Sequence, residues 1–508
     1  LLKQQSSKSI YAAQVLILFS LGALLAGAAE LPYGGWIQIP ILSFIWWQLD
    51  TQKSKSFKNF FALGFAFGLG YFVVGLWWLY ISLHDVGGMN SLLSCVAVFL
   101  LSAYVALYFF AATASIRLFK NTSMLGLFLA SSWVVSEYLR GEIFTGFPWM
   151  GLAEAQVNGP FAAIAPYVGG LGCTFLTVYV SWQITRLKNA FLNSATSIIF
   201  ISALTIISSL WSFTKPTGEP ITVELIQGNF AQSLIFRPEG ILKQIQFYDA
   251  SISQSLAELV VAPETAFPWP EHDLPSGLIE NLQSLSNRTG NNFLFGVIGR
   301  AADARNGREY SNRALGISQN SPAYLYDKNH LVPFGEFIPP GFHWFINAFS
   351  VPLSDFARGG NDQANFTIRR KNQPSLHAAI TICYEDVFGG ELASRIRRNP
   401  EPTNLLINLT NLAWFGQSQA PAQQLRLSQL RSLETGMPAL RATNTGITSV
   451  LGPNGKILQS LPEFTQASLS AQVQAYSGKT PYVLWGNIPI LSISSLLLIW
   501  GFIRHRRF

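Results

Sequence analysis

Charged residues are scarce. They make up 12% of the 508 residues, against about a quarter in ordinary soluble domains. With 49% hydrophobic and 13% aromatic residues and a positive mean hydropathy, the deficit points to a membrane protein that carries a soluble part. Cysteine is nearly absent as well: only Cys95, Cys173 and Cys383 occur, the first two inside apolar runs. There is no CxxC and no Cys/His cluster, which argues against a disulfide framework and against a zinc site. No basic block is interleaved with aromatics, so the net charge of +7 is not a nucleic-acid footprint, and no nucleic-acid partner is expected. No internal repeat is visible. The first apolar run lacks a small-residue cleavage site followed by soluble chain, so it is expected to stay as a helix.

What is present is a series of long apolar runs. Candidate spans cover 10–29, 36–50, 59–83, 91–116, 123–138, 162–185 and 190–213, each near the ~20 residues that cross a bilayer. "TKPTGEP" (214–220) reads as a linker, 221–485 as a mixed soluble domain, and 488–503 as a closing span followed by the basic tail "RHRRF". The chain thus divides into a bundle over 1–213, a domain over 221–485, and a last helix with its tail over 486–508. Lys3 and Lys8, Lys53, Lys55 and Lys58, Arg117 and Lys120, Arg186 and Lys188, and the terminal Arg504, Arg506 and Arg507 all fall on one side if eight helices span. The opposite loops, such as "HDVGGMN" (84–90), are poor in Lys and Arg. Positive loops stay in the cytoplasm. Both termini are therefore expected there, with 221–485 outside, in the periplasm of a bacterium whose inner membrane holds this multi-pass chain.

In the soluble part, strand-like runs at 221–229, 259–264, 292–299, 323–328, 377–385 and 404–411 alternate with helical stretches at 238–257, 275–286 and 422–435. "GPNG" (452–455) reads as a turn between two strands. Buried strands alternating with amphipathic helices indicate a layered α/β domain.

Three residues in it end apolar strands. Cys383 lies in "TICYED". By default such a cysteine is a small buried hydrophobe. An unpaired thiol outside the cytoplasm is, however, an oxidation hazard. The helical "VFGGELASRIRR" that follows could place the sulfur near a helix N-terminus, favouring the thiolate; Glu385 and Asp386 would act the other way. Glu264 lies in "VVAPETAFP". It is either a strand-end carboxylate facing water or a desolvated one suited to general-base work. Lys328 opens "KNHLVPFGEF", with Glu336 eight residues on. Lys328 could snorkel at the surface or supply the cation for a thiolate and an oxyanion; Glu336 could cap a turn.

The order "APETAFP", "YDKNHLVPFGEF", "TICYED", "INLTNLAWFG" resembles the nitrilase, or carbon–nitrogen hydrolase, superfamily. The resemblance implies an α-β-β-α sandwich with Glu264 as general base, Lys328 as oxyanion stabiliser and Cys383 as nucleophile. With seven spans before this domain and one after it, and with "SEYLRGEIFTGFPWMGL" (136–152) in the bundle, the chain is similar to the bacterial apolipoprotein N-acyltransferase family over nearly its whole length. That likeness implies an essential Glu336 and supporting roles for Tyr384, Glu385, Asn411 and Trp414. It also departs in one place: Leu412 stands before "AWFG", where the family is expected to carry Asp.

The same resemblance implies a phospholipid acyl donor, a thioester on Cys383 and a diacylated apolipoprotein as acceptor. It implies no cofactor and no metal; the lipid bilayer is a partner, and since nothing in the sequence demands an oligomer, a monomer is expected. Trp344 and Phe345, in the aromatic stretch 341–356, would meet lipid if exposed and would otherwise pack into the domain's core. A membrane-anchored amidase that releases the acyl group to water would share the triad but leave the eight spans without a purpose. A transporter would place ionisable groups along its spans, and 59–83 and 162–213 hold almost none.

Overall fold

The computed structural model describes residues 2–119, 122–301, 309–339 and 355–505. The chain forms two compact units. One joins Leu1–Tyr80, Asn90–Trp211 and Trp485–Phe508; the other joins Ile81–Met89 and Ser212–Leu484.

The first unit is helical. Among the described residues, five helices are long and apolar enough to cross a membrane: Ser9–Ala29, Phe57–Gly75, Ser91–Leu118, Ala162–Arg186 and Phe191–Ser209. The expected second and fifth spans are helices too, Gly34–Thr51 and Leu125–Glu142, but they fall short of that standard. The first carries Gln38, Gln48 and Asp50 with Pro40 inside, and the second carries Glu137, Arg140 and Glu142. Ile488–Arg504 is apolar but short. The expected run 59–83 is not one helix: it stops at Gly75, and Ser82–Val86 is a separate π-helical turn. Tight packing rests on small residues. A Cβ on Gly70 would lie 2.0 Å from the Phe19 carbonyl oxygen, and one on Gly22 would lie 2.1 Å from that of Phe67. Trp46, Phe67, Phe109 and Trp133 form an aromatic centre, with Phe109 and Trp133 at 4.4 Å. The "TGFPW" motif is a loop. The buried Arg140 donates to the carbonyls of Phe147 (2.9 Å), Pro148 (3.4 Å) and Trp149, and the left-handed φ of Phe144, Thr145 and Met150 shapes its path.

The second unit is a sandwich of two sheets. The strands are β1 (Thr214–Pro216), β2 (Ile221–Gln227), β3 (Leu259–Val261), β4 (Phe267–Pro270), β5 (Asn292–Arg300), β6 (Tyr310–Ile317), β7 (Tyr324–Asp327), β8 (Phe366–Ile368), β9 (Leu376–Ile382), β10 (Leu405–Thr410), β11 (Ala439–Thr443), β12 (Ser449–Leu451), β13 (Ile457–Ser460), β14 (Ala467–Val473) and β15 (Tyr476–Gly478). One sheet runs β14-β2-β3-β5-β6-β7 with β4 beside β5; the other runs β13-β12-β11-β10-β9-β8; β1 and β15 form a small pair. The central pairs β2–β3, β3–β5, β9–β10 and β10–β11 are parallel. Strand alternation explains the layers. Leu259, Val261, Leu405, Ile407 and Leu409 point into a core shared by both sheets. Val260 points out, under the helices Pro238–Gln254 and Leu278–Thr289. Leu406 points out on the other side, under Gly389–Arg398 and Ala420–Thr435. The order is therefore α-β-β-α, and "GPNG" turns between β12 and β13, which pair antiparallel.

Candidate active site

Three strand ends converge. Glu264 leaves β3 on a tight turn in which Thr265 has φ +56°. Gly296 makes room for that turn, since a Cβ there would lie 2.4 Å from the Thr265 nitrogen. Lys328 follows β7, and its backbone N–H donates to the Asn312 carbonyl at 2.8 Å. The preceding Asp327 is pinned by Arg313 Nε and Ser311 Oγ, both at 2.7 Å. Cys383 begins a 3₁₀ turn after β9 with φ +50°. A non-glycine residue held in this region is strained and occurs mostly where the surrounding structure demands it.

The Lys328 side chain is 1% exposed, which rules out the snorkelling alternative. Its Nζ lies 2.9 Å from both Glu336 oxygens and 3.4 Å from Glu264 Oε1. Asn312, which the sequence reading did not single out, bridges the two acids: Nδ2 donates to Glu264 Oε1 at 2.8 Å and to Glu336 Oε1 at 2.7 Å. The second Glu264 oxygen accepts from the Asn411 backbone N–H at 2.8 Å, and the second Glu336 oxygen accepts from Val332 N–H at 2.8 Å. Glu336 thus holds Lys328, and Glu264 is a buried carboxylate rather than a solvated one.

Burial alone would lower the Lys328 pKa, but Glu336 and then Glu264 overcome it and hold the ammonium well above the ordinary lysine range. The Cys383 thiol is pushed far up, first by burial and then by Glu264, while Lys328 pulls it down. Of the two opposing effects weighed from the sequence, the one that disfavours the thiolate prevails, though burial and Glu264 cause it rather than Glu385 and Asp386. Those two acidic neighbours are engaged elsewhere. Asp386 accepts from the hydroxyls of Thr381 and Ser428. Glu385 accepts from Tyr326 Oη at 2.9 Å and from the N–H groups of Ile382 and Asn329, each at 2.7 Å. Arg395 in turn donates to Tyr326 Oη. Burial raises the Glu385 pKa, against the opposing pull of Arg395.

Glu385 therefore ties the turn after Cys383 to the loop after Lys328. Glu385→Gln turns an NH₂ group toward N–H donors. It should lower stability by about 1–3 kcal/mol, the cost of leaving buried donors unsatisfied, read as a lower melting temperature of the detergent-solubilised chain.

The remaining candidates are placed as follows. Tyr384 is buried and meets Phe388 and His330 edge-on. Asn411 supplies the N–H to Glu264, and its side chain accepts from Ala413 N–H and Asn444 Nδ2. Trp414 is half-buried on the turn Ala413–Phe415. Leu412 is 1% exposed and belongs to the same apolar cluster as Cys383, with its Cδ1 2.9 Å from where a Gly446 Cβ would be. The position has become part of the core, where a carboxylate would be costly to bury. Trp344 and Phe345 lie outside the described residues. Among those described, no group of three metal-ligating side chains stands together.

The chain matches two family models, "Apolipoprotein N-acyltransferase N-terminal domain" over residues 21–183 and "Carbon-nitrogen hydrolase" over residues 223–482. It is 38% identical to the apolipoprotein N-acyltransferase of Ralstonia nicotianae, with 99% of this chain and 97% of that one aligned. It is 36% identical to that of Nitrosomonas europaea over 91% and 92% of the two chains. It is 37% identical to that of Chromobacterium violaceum over 97% and 95%. Similarity that runs at this level from end to end, through both the helical part and the sandwich with its buried Glu–Lys–Cys site, shows that the chain belongs to the apolipoprotein N-acyltransferase family.

Proposed function

We propose that this enzyme N-acylates apolipoproteins by a two-step transfer through Cys383, using the sn-1 acyl chain of a phospholipid. One observation carries the reading: Lys328, Glu264, Glu336 and Asn312 form one buried hydrogen-bonded cluster, and the charges of all but Asn312 act directly on the Cys383 thiol. In the first step Glu264 takes the thiol proton as the sulfur attacks the ester carbonyl. The Lys328 ammonium, oriented by Glu336 and Asn312, stabilises the oxyanion. The ester C–O bond breaks, and the lysophospholipid leaves as its alcohol with the proton from Glu264. In the second step the α-amino group of an S-diacylglyceryl cysteine attacks the thioester. The C–S bond breaks, an amide forms, and the amine proton restores the thiol. The ester supplies the driving energy for both steps.

A thiol whose proton is held more tightly by burial suits this scheme. A permanent thiolate would invite oxidation in an oxidising compartment, whereas here the proton is removed only as a bond forms. The proposed topology has eight spans in a bacterial inner membrane, both termini in the cytoplasm and the Ser212–Leu484 unit in the periplasm. It is supported by the five apolar helices and by the clustering of Lys and Arg in alternate loops. The enzyme is proposed to act as a monomer.

The test is intact-protein mass spectrometry after incubation with phospholipid micelles. The native chain should gain the mass of one acyl group, and adding a diacylglyceryl-cysteine peptide should remove it. An adduct that decays equally fast without the peptide supports release to water, the amidase-like alternative. No adduct on folded protein would sink the nucleophile assignment.

A further inference from the structure

One buried polar residue outside the Glu–Lys–Cys set also reaches the sulfur, and a second holds it there. Gln424, on the helix Ala420–Thr435, is fully buried and places Nε2 3.8 Å from Cys383 Sγ. Its Oε1 accepts from Arg441 Nη2 at 2.7 Å. A guanidinium can only donate, so this contact fixes which way the amide points: carbonyl toward Arg441, NH₂ toward the sulfur. Arg441, on β11, is itself anchored. It donates to Ser428 Oγ at 2.9 Å and to Asn408 Oδ1 at 3.5 Å, and its Nη1 lies 3.7 Å from Asp386 Oδ2. Asp386 offsets the charge of the buried guanidinium, as such a cation requires. That pairing does not by itself call for an amide turned toward the cysteine.

We propose that Gln424, held in orientation by Arg441, is a positioning residue that donates a hydrogen bond to the Cys383 sulfur as it loses its proton, so that the nascent thiolate has a donor in addition to Lys328. The proposal rests on Cys383 being the nucleophile. At 3.8 Å the contact is long for a neutral thiol; such bonds shorten as charge develops on the acceptor. The charged groups that act on the sulfur are Glu264 and Glu336, which oppose ionisation, and Lys328 and Arg441, which favour it. Gln424 is uncharged, so replacing it removes its hydrogen bonds with the sulfur and with Arg441 and leaves all four charges in place.

The test is the pH dependence of Cys383 alkylation by iodoacetamide in the full chain in detergent, followed on the Cys383 peptide by mass spectrometry. In the native protein the rate should keep climbing beyond the usual thiol range, because burial holds the thiol up. Gln424→Met should move the profile upward by about one pH unit and slow alkylation at neutral pH about tenfold, since one unit corresponds to a tenfold change in thiolate fraction. Arg441→Lys keeps the positive charge but loses the grip on the amide, and it should give a smaller upward shift. It decides the matter if the methionine variant does not fold. A purely structural role would lower the melting temperature and leave the profile where it was, and an unchanged profile in the folded variants would overturn the proposal. Failure of the nucleophile assignment is seen separately, as the lack of an acyl adduct on native protein.

Discussion

Cys383→Ser should lower N-acylation at least about 10⁴-fold, the scale of loss when a covalent nucleophile is removed. The substitution changes little else. Sulfur and oxygen occupy similar space, the site is buried, and serine can adopt the φ of +50° at a cost similar to that of cysteine. Stability should therefore stay within about 1 kcal/mol of the native chain. A hydroxyl is a far weaker acid than a thiol, and a carboxylate is a weaker base than the histidine that activates serine in serine hydrolases. The variant should carry no acyl adduct in the mass measurement. Cys95→Ser is the control. That thiol is exposed on the helix Ser91–Leu118, and its loss should leave transfer at the native rate. A Cys383→Ser enzyme that keeps more than about 1% of the native rate, far above the residue expected on loss of a nucleophile, would remove Cys383 from the mechanism.

The residues that stand at the ends of apolar strands were legible in the sequence. Glu264, Lys328 and Cys383 each terminate a run that β3, β7 and β9 then build, because a polar side chain after buried strand residues marks the sheet edge where sites form. The α-β-β-α layering followed from the resemblance and from strands that alternate with helices. Asn312, Gln424 and Arg441 were not legible. Asn312 sits inside β6 between Ser311 and Arg313, where an amide looks like one more polar residue at the solvated end of a strand. The helix Ala420–Thr435 misleads in the opposite way: Gln423, Gln424, Ser428, Gln429, Arg431, Ser432 and Glu434 suggest a solvated face, yet all of them are buried. Its polar residues face partners in the protein, such as Asp386 and Arg441, and hydrophobic periodicity carries no information about which partner a buried polar group has. The end of one expected span was missed for a related reason. A run such as 59–83 is apolar throughout, so composition could not reveal that the helix ends at Gly75.

Lys328→Met is expected to fail in two separable ways. It removes the only cation in contact with Glu264 and Glu336 among the described residues, leaving two buried carboxylates that share Asn312. Breaking a buried pair in this manner costs about 3–5 kcal/mol. It also removes the proposed oxyanion donor, which should reduce the transfer rate about 10²–10³-fold. The two effects are distinguished by adding Glu336→Gln. The double variant has one buried charge fewer, and its amide oxygen can still accept from one of the two donors, Asn312 Nδ2 or Val332 N–H, so its melting temperature should recover part of the loss. Its transfer rate should not recover, because no cation faces the reacting carbonyl. If activity returned together with stability, Lys328 would be a structural counter-ion for the two acids and the oxyanion would need another donor. If stability returned alone, the cluster would divide as the geometry suggests: Glu336 and Asn312 hold the ammonium in place, and the ammonium acts on the substrate.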